Sequence, residues 1–115
     1  IKPIVEKGPF AFAGLWEIWR PKEEPETTPL TSCTILTMDA AKSIQQIHNR
    51  MPVLLKPEAY ELWLDPAEIA PSDLEQIVSS QAYSNFETIP VSQAVNSPER
   101  NDPSLLEPVS GKGID

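Results

Sequence analysis

The chain holds one histidine, His48, in the run Ile47-His48-Asn49-Arg50-Met51-Pro52. An imidazole takes and gives protons near neutral pH, and a guanidinium two positions on forks well onto phosphate or carboxylate. Together they suit proton transfer beside a bound anion. Each also has a plainer reading. A single histidine is more often structural than catalytic. Arg50 has seventeen Asp and Glu carboxylates available as surface partners, and a salt bridge is the favoured reading of that residue alone. No second histidine, cysteine pair or His-Glu spacing accompanies His48, which argues against a zinc site. Neither a metal nor a cofactor is expected.

Other residues offer chemistry less specifically. Phe10, Phe12, Trp16 and Trp19 could stack on bases, but aromatic residues on a strand are more often core, and core is expected for most of them. Glu17 stands between two tryptophans. It is either an acid with a raised pKa in an apolar pocket or the solvent-facing residue of an edge strand, and its neighbours do not decide between these. The four glycines are scattered, so no loop cradles phosphate. Serines and acids are too common for a Ser-His-Asp set to stand out. Cys33, the one cysteine, cannot form an internal disulfide. On its strand a buried, inert thiol is expected.

The elements that position these residues follow from local pattern. Residues 9–19 are aromatic and branched with small spacers, which predicts a strand buried on at least one face. Residues 20–31, rich in Pro, Glu and Thr, form a solvated connection, and 33–37 a second strand antiparallel to the first. Residues 38–47 read as a helix with Thr37 as N-cap, Asp39 in its first turn, and Ala40, Ile44 and Ile47 facing the core. A short strand over 51–55 leads to a helix over 57–64, opened by Pro57 and ended at Asp65-Pro66. Tyr60, Trp63 and Leu64 form its apolar face. Ser72-Asp73-Leu74-Glu75 has the spacing of a capping box, followed by a stripe of Leu74, Ile77 and Val78. Residues 86–91 are the last strand, and a disordered tail is expected over 110–115.

At 115 residues the chain fits one small domain. Nine basic against seventeen acidic residues leave a formal charge of −8. That balance argues against nucleic-acid binding by the whole surface but permits a local basic groove. No apolar run approaches the roughly 20 residues that cross a bilayer, and no signal peptide is visible. The chain opens at Ile1-Lys2-Pro3, so the missing signal carries little weight.

Five segments in register resemble the SOS-response-associated peptidase (SRAP) family. They are Pro9-Phe10-Ala11-Phe12-Ala13-Gly14-Leu15-Trp16-Glu17, Cys33-Thr34-Ile35-Leu36-Thr37, Ile47-His48-Asn49-Arg50-Met51-Pro52-Val53, Pro90-Val91-Ser92 with Val95-Asn96, and Asn101-Asp102-Pro103-Ser104-Leu105. The resemblance covers 2–109 and implies the C-terminal portion of the SRAP domain over 1–109. The implied fold is α+β, a mixed, mainly antiparallel sheet that is part of a barrel-like sheet, with two or three helices. Members recognise abasic sites in single-stranded DNA. Their N-terminal cysteine condenses with the ring-opened sugar to a thiazolidine crosslink, with an Asn, a Glu and a His around it.

The resemblance implies that His48 is the proton-transferring histidine, Arg50 the phosphate-contacting arginine and Thr37 a hydroxyl bordering the DNA pocket. Position 2 is Lys2, and Cys33 belongs to an inner strand. Glu17 falls in a later motif than the family's catalytic glutamate, so cysteine, Asn and Glu are all expected outside this chain. The chain alone is expected to be inactive. A separate N-terminal half is one way to complete the fold, and a truncated product is the other. A cytoplasmic location is implied, on the nucleoid if bacterial, with no membrane partner. The alternative is a non-catalytic interaction module on the same scaffold, whose −8 charge favours a protein partner. Cleavage of other proteins ranks low, because the family's cleavage is best viewed as removal of its own methionine.

Overall fold

The computed structural model describes residues 1–4, 8–24, 26–67 and 69–109. In chain order the strands are β1 (Lys2–Pro3), β2 (Ala11–Phe12), β3 (Gly14–Trp19), β4 (Leu30–Ile35), β5 (Thr37–Asp39), β6 (Arg50–Pro52) and β7 (Leu54–Leu55). A 3₁₀ turn at Pro57–Ala59 runs into α1 (Tyr60–Leu64), followed by α2 (Pro71–Gln81), β8 (Phe86–Glu87) and 3₁₀ turns at Gln93–Asn96 and Pro103–Leu106. This is an α+β architecture. Its strands form four two-stranded ladders, every one antiparallel, with no closed barrel among the described residues.

Three of these ladders share a hub. β2 pairs with β7, β3 with β4, and β5 with β6, so each of three stretches of chain changes partner once along its length. The changes fall at Ala13, Leu36 and Val53. Ala13 N–H donates to the Val53 carbonyl (2.8 Å), Val53 N–H to Leu36 (2.9 Å), and Leu36 N–H to Ala13 (2.9 Å). The three bonds close a ring, so these backbone groups are paired where the ladders part. Close approach of three stretches of the chain leaves little room for side chains. Ala13 is fully buried and Val53 nearly so.

Two apolar clusters flank the hub. One gathers Ala13, Val53, Leu55, Ala59, Ile77 and Ala82, with Trp63 packed against it. Trp63 Nε1 donates to the Gly14 carbonyl at 3.0 Å and ties α1 to the start of β3. The other cluster gathers Ala40, Ile44, Met51, Leu54, Tyr83 and Phe86. Leu54 and Leu55 enter opposite clusters because successive strand residues face opposite ways.

Several expectations change. Residues 38–47 are not a helix. Met38 and Asp39 join β5, and Thr37 opens that strand instead of capping a helix. The chain beyond is a run of turns, with Ile44 N–H to Ala41 O at 2.8 Å and Ile47 N–H to Ile44 O at 2.7 Å. Ladder pairing with β6 outweighs a weak local helix preference here. Ala40 and Ile44 are buried as expected, but Ile47 is exposed. The capping box fails as well. Ala70 is the N-cap of α2, and Pro71, with fixed φ and no N–H, takes the first turn, leaving Ser72 inside the helix.

The β3–β4 hairpin departs most from expectation. Leu15, Trp16, Ile18 and Trp19 are all exposed, Trp16 by 70%. Cys33 is exposed too, not buried. The hairpin leaves the hub with only two strands, and its residues from Leu15 to Trp19 and from Leu30 to Ile35 are exposed. Leu64 also faces solvent, and the last strand stops at Glu87. Val91 makes only a bridge to Pro108. The expected tail over 110–115 lies outside the described residues.

Candidate functional site

The β5–β6 ladder builds the site. Its register sets Thr37 opposite Pro52, Met38 opposite Met51 and Asp39 opposite Arg50. Residues two apart on a strand share a face, so Thr37 and Asp39 project together, with Arg50 across from Asp39. Arg50 Nη1 donates to Asp39 Oδ1 at 2.8 Å, and Nη2 donates to Thr37 Oγ1 at 3.1 Å. The Arg50 side chain is half exposed and that of Asp39 almost wholly so. Such an exposed pair adds only about 0–1 kcal/mol to stability, so its value is in geometry.

His48 is delivered by the turns over 41–47, the last of which bonds His48 N–H to the Ile44 carbonyl at 3.1 Å. Its Nδ1 lies 3.0 Å from the Arg50 backbone nitrogen and 3.1 Å from the Arg50 carbonyl oxygen. A backbone N–H can only donate. With its proton on Nε2 the neutral ring accepts that N–H at Nδ1, and with its proton on Nδ1 it donates to the Arg50 carbonyl. In the charged ring Nδ1–H donates to the same carbonyl oxygen. The ring thus keeps an anchor on Arg50 in both protonation states. Nε2 has no protein partner among the described residues and is the nitrogen free to exchange protons.

His48 and Arg50 border a cleft of about 260 Å³ whose other walls include Phe10, Phe12, Met51 and Phe86. Phe10 and Phe12 meet edge to face with centroids 6.0 Å apart. Core was expected for most of the four aromatics Phe10, Phe12, Trp16 and Trp19. Phe10 and Phe12 are instead both partly exposed at the cleft wall.

The structure joins Arg50 to His48 through its backbone and to Thr37 through its side chain, while Thr37 itself does not line the His48 cleft. It leaves Glu17 on the exposed hairpin opposite Ser32, the solvent-facing alternative, outside the His48 cleft. Sequence reading missed the part played by Asp39, which it assigned to the first turn of a helix. The alternation Thr37-x-Asp39 was the available signal, because on a strand it puts hydroxyl and carboxylate on one face. Among the described residues, no three metal-ligating side chains cluster, and no helix is long and apolar enough to cross a membrane.

Fold and site together define an α+β unit presenting an exposed imidazole–guanidinium pair at the mouth of an apolar cleft, an arrangement suited to acid–base work beside an anion. The chain matches the SOS response associated peptidase (SRAP) family over residues 3–98 and belongs to it. It is 41% identical over 98 residues to the abasic site processing protein YoqW of Bacillus subtilis (strain 168), covering 85% of this chain and 42% of that protein. It is 37% identical over 98 residues to the abasic site processing protein HMCES of Gallus gallus, covering 84% of this chain and 28% of that protein. The chain spans less than half the length of these curated relatives.

Proposed function

We propose that the intact protein binds single-stranded DNA and captures abasic sites as a covalent thiazolidine. In this reading His48 moves the protons, while Arg50 and Thr37 hold the strand. The names of its relatives, abasic site processing proteins, support the substrate class. The observation that carries the chemistry is the anchoring of His48 Nδ1 on the backbone of Arg50, whose side chain offers N–H groups to an anion.

An abasic deoxyribose is mostly a closed hemiacetal. Opening it removes the proton of the C1′ hydroxyl and delivers one to the ring oxygen, giving a C1′ aldehyde. An amine then adds to C1′, water leaves to give an imine, and a thiol adds to the same carbon. The balance is aldehyde plus aminothiol to thiazolidine plus water. The imidazole serves the proton transfers through Nε2. Arg50 secures a flanking phosphate on an otherwise flexible strand.

Thiazolidine formation needs a free amine and a thiol on one residue, the condition an N-terminal cysteine meets. Cys33 is the one thiol in the 115-residue polypeptide, and its nitrogen is held in a peptide bond. That polypeptide by itself therefore forms no thiazolidine. A stable shifted band on a denaturing gel with abasic single-stranded DNA would sink this claim. In the intact protein His48→Ala slows crosslink formation or reversal by about 100-fold, the lower range for a positioned acid–base group, without unfolding. Unchanged kinetics in both directions would remove His48 from the chemistry.

The −8 charge and the uncovered apolar hairpin favour a second reading, an interaction module that performs no chemistry. Salt-dependent binding of single-stranded DNA supports the first reading. Salt-insensitive failure to bind supports the second.

A further inference from the structure

The geometry points to Asp39 as a positioning residue that holds the Arg50 guanidinium ready for a DNA phosphate. This rests on the proposed role of Arg50 and adds a residue to it. Asp39 and Arg50 are directly opposite in the β5–β6 register, and the Arg50 Nη1–Asp39 Oδ1 bond of 2.8 Å is the shorter of the two bonds on the guanidinium. Thr37, on the same face of the same strand, takes Nη2 at 3.1 Å. One strand thus grips both terminal nitrogens and fixes the plane of the group.

The grip does not exhaust the donors. Nε–H and one N–H on each terminal nitrogen remain, with no protein acceptor among the described residues. These are enough for a forked phosphate contact. An arginine free in solution must order several torsions on binding, and that ordering weakens association. Arg50 has already done so.

The opposing effect has the opposite sign. Asp39 is a carboxylate beside a site for an anion, and removing it should tighten DNA binding if charge alone mattered. Its side chain is 95% exposed, so water and salt screen its repulsion. The Arg50–Asp39 contact at 2.8 Å is weakened as well, but less, because it is direct and the phosphate lies farther off. Positioning therefore outweighs repulsion, and the two can be told apart by direction.

The test uses the intact protein and a single-stranded oligonucleotide with one reduced abasic site, which has no aldehyde and cannot crosslink. Binding is measured for the wild type and for Asp39→Ala, Asp39→Asn, Arg50→Ala and the Asp39→Ala/Arg50→Ala double variant. Asp39→Ala is expected to bind about 2- to 10-fold more weakly, the cost of ordering one long side chain. Asp39→Asn keeps an acceptor oxygen and recovers most of the loss. In the Arg50→Ala background Asp39→Ala changes nothing further, because there is no guanidinium to hold. Tighter binding by both Asp39 variants makes the carboxylate a competitor and overturns the inference. Equal loss in both backgrounds makes Asp39 a structural residue and also overturns it. If Arg50→Ala alone leaves binding unchanged, the assignment of Arg50 to phosphate is what fails.

Discussion

Replacing Arg50 with alanine should separate DNA binding from crosslinking chemistry. The two functions meet in one residue but use different atoms. The side chain donates through Nη1 and Nη2 to Asp39 and Thr37, whereas His48 is held by the backbone N–H of the same residue. Alanine deletes the first and keeps the second. The exposed ion pair is worth at most about 1 kcal/mol, so the protein should fold with stability close to wild type. One lost charge-assisted phosphate contact amounts to about 1.5–3 kcal/mol, or roughly 10- to 150-fold in affinity. For a single strand the slope of log affinity against log salt should become shallower by about 0.7. At saturating DNA the first-order crosslinking rate should stay within about 3-fold of wild type, because ordinary binding energy does not enter it. Fluorescence anisotropy on a reduced abasic oligonucleotide gives affinity and slope, and quenched denaturing gels with an aldehydic site give the rate. The reasoning is refuted if the saturated rate collapses while affinity and salt slope hold. That result would mean that the guanidinium, and not the backbone, sustains the imidazole.

Three other outcomes follow from the structure. Val53→Ala, at the hub, should cost about 2–3 kcal/mol in urea unfolding, from two lost methyl groups and the cavity they leave; a cost under about 0.5 kcal/mol would mean that the hub is not packed as described. Asp102 is held below the ordinary carboxylate range, chiefly by the Ser104 hydroxyl, then by Arg100, with desolvation opposing and the Ser104 N–H adding least. Its folded form therefore favours the carboxylate. Its support of the Pro103–Leu106 turn is complete above the ordinary aspartate pKa and lost as pH falls through the lower folded value; an NMR titration of the Ser104 amide with a midpoint at or above about 3.9 would contradict this. In the 115-residue polypeptide Cys33 is exposed and should label with maleimide without denaturant, whereas protection until unfolding would place it in a core.

Much of the architecture was legible in local pattern. Aromatic and branched residues over 9–19 predict a strand paired with one over 33–37, and the pairing holds, but the second strand runs Leu30–Ile35, starting inside the stretch read as connection. Pro57 and Asp65-Pro66 bound the helical segment because proline lacks an N–H and restricts the residue before it. Residue type singled out His48 and Arg50 only as candidates with a plainer reading beside each, and five segments in register indicated the family before any contact was known.

Partner choice was not legible, because a backbone N–H carries no label for the carbonyl it will meet. The ring of Ala13, Leu36 and Val53 forms between residues distant in sequence, and it divides three strands that read as continuous. The same blindness turned 38–47 into a helix. Its apolar spacing fits a helical period, yet Thr37 and Asp39 gain more by pairing across to β6, where their side chains meet Arg50. The sequence named the imidazole and the guanidinium. The register of one short ladder supplied the carboxylate and hydroxyl that hold the guanidinium, and the His48–Arg50 backbone contact set which nitrogen of the ring is left to work.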